Sequence, residues 1–197
     1  WEAVYFYLDL DRLKALAEAT ARLGAERFVL DDGWFTGRRS DGMALGDWTP
    51  DPERFPEGLS PLIAHVNALG MDFGLWVEPE MVSPDSALYR THPDWALAPD
   101  VKAAPTQRNQ LVLDMARAEV QDYVFDSIDG LLRHNAIAYL KWDHNRDLFP
   151  AKSPRRQTLG LYQVLDRLRA AHPEVEIESC ASGGGRIDFG IIKRCAR

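Results

Sequence analysis

The sequence predicts an α/β fold with parallel strands, arranged as a partial (β/α)8 TIM barrel. Three observations carry this expectation. Short apolar runs alternate with amphipathic helical stretches, the pattern of strands joined by helical crossovers. No Gly-x-Gly-x-x-Gly opens a helix after a strand, so the fingerprint of an open dinucleotide-binding sheet is missing. Polar residues suited to chemistry stand at the carboxyl end of nearly every apolar run, where barrel proteins carry their sites. A complete barrel takes about 250 residues, and about five strand–helix units fit into the 197 present. Residues 1–197 are therefore expected to form one piece of a single barrel domain, with no internal linker.

The elements follow in order. Residues 3–7 read as a first strand. A helix is expected over 11–23, with Leu13, Leu16, Ala17 and Thr20 on one face and Gly24 as its stop. Residues 27–30 form the second strand, ending at Asp31-Asp32-Gly33-Trp34. Residues 36–58 are polar, rich in Gly and Pro, and without period, which predicts a loop. Ser60 looks like an N-cap, with Pro61 at the first helical position, where its missing N–H costs nothing. Leu62, Ile63, Val66 and Leu69 supply that helix with a buried stripe, and Gly70 ends it.

Residues 72–77 form the third strand, and a short helix is expected over 84–90. Leu111-Val112-Leu113 is a short extended run. Residues 117–133 form a helix burying Val120, Tyr123, Val124, Ile128 and Leu131. A strand over 137–142, a loop over 149–155, a helix over 156–171 and a strand over 175–180 complete the series.

Composition excludes several classes. At 46% hydrophobic residues the chain can build a core, and 27% charged residues do not suggest disorder. The net charge of −7 and the lack of Lys/Arg clusters argue against nucleic acid and anionic membrane as partners. No apolar stretch approaches the roughly 18 residues of a membrane span. Cys180 and Cys195 are too few for a disulfide framework or a four-ligand zinc site, and read as reduced thiols of a cytoplasmic protein. The chain opens on Trp in strand-like sequence, so it is expected to come from a longer protein.

Lys141-Trp142-Asp143-His144-Asn145 ends a strand. Alternation puts Lys141, Asp143 and Asn145 on one face and Trp142 on the other. Asp143 is expected to be held ionised by Lys141, ready for nucleophilic work on a sugar; a purely structural ion pair is the alternative. Asp31 and Asp32 beside Trp34 suit the vicinal hydroxyls and apolar face of a sugar, or else cap the next element at an Asp-Gly turn. Trp76, Glu78 and Glu80 repeat the theme, as acid/base groups or as ordinary hydrogen-bonded acids. The three glycines after Cys180-Ala181-Ser182 let the backbone approach a ligand. Cys180 is either a nucleophile or a buried inert thiol. Asp188 is a further carboxylate or the partner of Arg186. A metal site from Asp31, Asp32, Asp143 and His144 is disfavoured, because Lys141 would bring positive charge into it.

Six motifs in register resemble the α-galactosidases of glycoside hydrolase family 36: Trp1-Glu2-Ala3, Asp31-Asp32-Gly33-Trp34-Phe35, Gly46-Asp47-Trp48, Leu75-Trp76-Val77-Glu78-Pro79-Glu80, Lys141-Trp142-Asp143 and the segment from Ser179 to Arg186. The resemblance spans essentially the whole chain. It implies a retaining α-galactosidase acting on terminal α-galactosides through a covalent galactosyl–Asp intermediate, with Asp143 as nucleophile. It places Trp1, Asp31, Asp32, Trp76, Arg108, Lys141, Asn145, Cys180 and Ser182 around the sugar, Ser182 near the 2-hydroxyl. No metal and no cofactor are implied; the partner is a small carbohydrate, and the parent is allowed to be a homo-oligomer. Galactosyl transfer, α-N-acetylgalactosaminidase activity and non-catalytic sugar binding are the alternatives.

The family's general acid/base stands in a Trp-x-Ser-Asp motif, which these 197 residues lack; Asp188 is not its equivalent. The remaining barrel strands and an upstream β-sandwich are implied to lie outside the chain. An isolated fragment is expected to lack activity and to aggregate.

Overall fold

Residues 1–97, 107–148 and 153–197 are described by the computed structural model of the chain. Four strands, β1 (Arg27–Leu30), β2 (Asp72–Val77), β5 (Tyr139–Trp142) and β6 (Glu176–Ser179), form one parallel sheet in the order β1-β2-β5-β6. The register aligns Leu30 with Leu75, Trp76 with Lys141, and Trp142 with Ser179, so the carboxyl ends of all four strands emerge at the same rim. β2 is buried along nearly its whole length, as expected of a parallel strand covered on both faces.

Helices precede each strand. α1 (Leu10–Arg22) starts where the Asp9 side chain accepts from the Arg12 N–H, and it buries Leu13 and Ala17. α2 (Ser60–Ala68) lies beside it and buries Leu62, Ile63 and Val66. α4 (Ala118–His134) and α5 (Pro154–Ala171) pack together before β5 and β6. Gly160 makes this packing close: a Cβ there would lie 1.8 Å from the Met115 carbonyl oxygen. The parallel strands with their helices are the partial barrel that the alternation predicts.

Between β2 and α4 the alternation is interrupted. β3 (Met81–Val82) pairs antiparallel with β4 (Leu111–Val112), so the expected extended run at 111–113 lies in a separate two-stranded ribbon. A short helix α3 (Ala87–Thr91) stands where one was expected over 84–90, and a four-residue helix α6 (Phe189–Ile192) follows the Gly-rich segment.

Two local expectations are corrected. Residues 3–7 form turns, not a strand: Tyr5 takes a φ of +46°, and the Phe6 carbonyl is used by the Arg54 guanidinium at 2.8 Å rather than by a neighbouring strand. Ser60 is the first residue of α2 rather than its cap. Leu59 occupies the cap position with no side-chain bond and is secured by burial instead. Residues 149–152 of the expected loop lie outside the described residues. Among the described residues no helix is long and apolar enough to cross a membrane.

Candidate active site at the carboxyl rim of the sheet

The rim encloses a cleft of about 360 Å³. Trp1, Asp31, Asp32, Trp76, Arg108, Lys141, Asp143, Asn145, Cys180 and Ser182 all line it, joined by Glu2, Asp41 and Gly183. The ten residues that the family resemblance places at the sugar therefore meet in one place, whereas Glu78, Glu80, His144 and Asp188 do not line it. The chain brings them there through the ends of β1, β2, β5 and β6, the first turn of the chain, and the segment before β4.

Asp143 follows β5 directly. The backbone of β2 fixes it, since the Asp143 N–H donates to the Val77 carbonyl at 2.8 Å. Its Oδ2 accepts from Trp76 Nε1 at 3.0 Å and from Asn145 Nδ2 at 2.6 Å, and its Oδ1 accepts from the His144 N–H at 2.9 Å. Burial pushes the carboxyl up, but bonds from the Cys180 thiol, Trp76, Asn145 and His144 outweigh it and hold the group below the usual carboxylate range. Asp143 is thus a positioned anion. Trp76 is 2% exposed and contributes chiefly through its indole N–H.

Lys141 does not hold Asp143. Its Nζ donates to Asp31 Oδ2 at 2.7 Å, reaching across β2 to the end of β1. This corrects the expectation of a Lys141–Asp143 pair. Burial works against the ammonium, but the Asp31 bond outweighs it and raises the Lys141 pKa. Asp31 Oδ1 also accepts from the Asp32 N–H at 2.8 Å.

Asp32 is bound bidentately by Arg38, with Nε and Nη2 at 2.8 and 2.7 Å. Arg38 is wholly buried and spends Nη1 on the carbonyls of Asp41 and Met43. Burial pushes the Asp32 carboxyl up while the guanidinium pulls it down. The sequence reading missed Arg38. It sits in the aperiodic 36–58 loop, and only its place six residues after an acid hinted at a fork-to-fork pair.

Asn145 is oriented from both sides. Its Nδ2 binds Asp143, and its Oδ1 accepts from Ser182 Oγ at 3.1 Å. Ser182 has a φ of +48° and Arg108 a φ of +52°, in the left-handed region that non-glycine residues uncommonly adopt. Arg108 extends to Asp41 at 3.7 Å. Burial and the adjacent Asp143 push the Cys180 thiol up to about 11, so at neutral pH it stands protonated beside Asp143. Trp1 is 41% exposed, with its ring edge-on to Tyr5 and Phe6. Trp34 belongs to the core: it is fully buried, and its Nε1 donates to the Trp76 carbonyl at 2.8 Å.

Arg186 is not paired with Asp188. It binds Glu80 at 2.6 Å, and Glu80 also accepts from Trp142 Nε1 at 2.9 Å. Asp188 caps α6 and accepts from Tyr162. It borders a neighbouring cavity rather than this cleft.

Parallel strands whose carboxyl ends converge on an acid-lined cleft define a protein of the (β/α)8-barrel class with a site at the barrel mouth. The chain belongs to the melibiase family, whose sequence profile matches residues 1–197. An α-galactosidase of Escherichia coli is 50% identical over 202 residues, taking in 100% of this chain and 28% of that protein. Among solved structures, a GH36 α-galactosidase AgaA from Geobacillus stearothermophilus, crystallised with stachyose, superposes with a TM-score of 0.91 at 44% identity. It covers 100% of this chain and 29% of its own. An α-galactosidase from Lactobacillus brevis gives 0.93 at 45% identity, with 100% and 28% covered. The chain therefore spans less than a third of the length of these relatives.

Proposed function

We propose that this chain is part of the catalytic barrel of a retaining α-galactosidase. The observation that carries the reading is the placement of Asp143. An ionised carboxylate that accepts from Trp76, His144 and Asn145, and has no ion pair among the described residues, faces the cleft that holds the acids Asp31 and Asp32. Relatives named α-galactosidase at up to 50% identity support the same substrate class.

In this mechanism Asp31, Asp32 and Lys141 grip hydroxyls of the terminal galactose, and Trp1 covers its apolar face. Asp143 attacks the anomeric carbon as the bond to the leaving oxygen breaks. A second carboxylic acid protonates that oxygen. Water, deprotonated by the same group, then displaces Asp143 from the galactosyl ester, and two inversions give retention. The two carboxyls must stand about 5–5.5 Å apart. Asp188 is committed to α6 and Tyr162 and borders another cavity, so it does not take this role; the family resemblance gives it to the Asp of a Trp-x-Ser-Asp motif, which these 197 residues lack. This chain without that sequence is expected to be inactive.

The test is hydrolysis of a chromogenic α-galactoside, against the matching α-glucoside, by the protein in its full natural length. The expected result is turnover of the galactoside alone, abolished by Asp143→Asn with galactose binding retained. Full activity of Asp143→Asn would refute the assignment.

A further inference from the structure

Glu78 has no part in the mechanism above, yet it touches the residue that holds Asp143. Its side chain is wholly buried and does not reach the cleft. Glu78 Oε1 accepts from the Asn145 N–H at 2.5 Å, while Asn145 Nδ2 donates to Asp143 Oδ2 at 2.6 Å. Two carboxyl groups thus share one asparagine.

They differ in how their charge is met. Glu80, two residues on, has Arg186 at 2.6 Å and His144 at 3.5 Å, and it is held well below the usual range. Glu78 has no ion pair among the described residues. The charged groups around it are committed elsewhere or repel it: Arg38, from the loop after β1, is spent on Asp32, and Arg146 donates to the Gln110 carbonyl. Asp143, from the β5 end, is an anion. The second oxygen of Glu78 has Gln110 Nε2 at 3.5 Å, and the buried Gln110 Oε1 has no partner among the described residues. The two ends of such a carboxamide are interchangeable in shape. Exchanged, Gln110 presents an acceptor to Glu78 Oε2, which an acid proton would use. A buried carboxyl with neither a cation nor enough donors to offset its lost hydration is more stable neutral than ionised, and in this Glu78 differs from Asp143.

We propose that, on the acid side of neutrality, Glu78 is a neutral carboxylic acid beneath the site, where it is a positioning residue: it anchors Asn145, and through Asn145 orients Asp143, without adding a second full negative charge. Burial outweighs the bonds from Asn145 and, together with the neighbouring Asp143, pushes its pKa up to about 7. The functional half of this proposal rests on Asp143 being the nucleophile; the protonation state does not.

The test therefore has two arms, both on the full-length protein. Infrared difference spectra of wild type against Glu78→Gln should show a protonated-carboxyl C=O band at about pH 5 that disappears as pH rises through about 7. No such band in the folded wild type would overturn the proposal. In the second arm, Glu78→Gln, the isostere of the neutral acid, should keep kcat on an α-galactoside within about threefold. Glu78→Ala, which removes the acceptor from Asn145, should lower kcat roughly 100-fold with KM changed less than about threefold, as expected when a group acts on the transition state through its neighbour. Folded Glu78→Gln as impaired as Glu78→Ala would overturn the positioning role of a neutral acid. A wild type inactive on α-galactosides would sink the enzymatic reading alone, and the infrared band would still decide the state of Glu78.

Discussion

Lys141 Nζ lies 2.7 Å from Asp31 Oδ2, so the lysine two residues before Asp143 serves the opposite wall of the cleft. The pair spans the end of β1 and the end of β5 across β2. It is half-buried, so the charge-assisted bond retains part of its strength.

Lys141→Met should therefore act on sugar binding more than on the chemical step. Losing a charge-assisted bond is worth about 1.5–3 kcal/mol, so KM for an α-galactoside should rise about ten- to hundredfold. Steady-state kinetics check this. A large fall in kcat at unchanged KM would return Lys141 to Asp143.

Arg38→Ala should destabilise the fold. It strands the buried Asp32 carboxylate, and breaking a buried pair costs about 3–5 kcal/mol. Denaturant unfolding of the full-length protein measures it. Arg38→Met combined with Asp32→Asn should recover much of that stability while binding of galactose is lost, since the charge is removed together with its partner.

Glu80 predicts an acid-side loss of stability. Burial alone would raise its pKa, but Arg186 and His144 overcome that and hold it well below 4.5. Below about pH 4.5 the unfolded chain then binds more protons than the folded one. The stabilisation is present above that pH and fades as pH falls through the folded value. Glu80→Gln should flatten this part of the stability–pH curve, measured by denaturant unfolding at several pH values.

Cys180 should resist alkylation. A thiol held up to about 11 instead of 9.0 has roughly 100-fold less thiolate at neutral pH. Iodoacetamide labelling followed by peptide mass spectrometry should show slow modification in the folded protein and fast modification after unfolding.

The long elements were legible because their periods are long. α4 and α5 repeat apolar residues at helical spacing over 17 and 18 residues, and local pattern and tertiary burial agree there. The turns at residues 3–7 were not legible, because Val4, Phe6 and their tyrosine neighbours alternate like a strand. Local backbone bonds, from the Val4 and Tyr5 N–H groups to the Trp1 carbonyl and from the Tyr7 N–H to the Val4 carbonyl, close turns there, and Arg54, 48 residues away, takes the Phe6 carbonyl. The strand-end members of the cleft were legible as a set, since residues at parallel strand ends must share a rim; Trp1 and Arg108 came only from the family resemblance. Who bonds whom was not. Lys141 lies 110 residues from Asp31, and only the register of β1, β2 and β5 selects Asp31 over the nearer Asp143. Arg38 was silent for the same reason: an arginine in an aperiodic loop carries no periodic signal, and its partner is set by how the loop folds back.

The identity of the nucleophile is tested most directly by trapping. The full-length protein is incubated with a fluorinated α-galactosyl fluoride that forms the glycosyl ester quickly and hydrolyses it slowly, then digested and sequenced by mass spectrometry. One galactosyl-type label on Asp143, absent from Asp143→Asn, is the expected result. A label on another carboxylate, or rapid turnover with inverted product and no label, would contradict it.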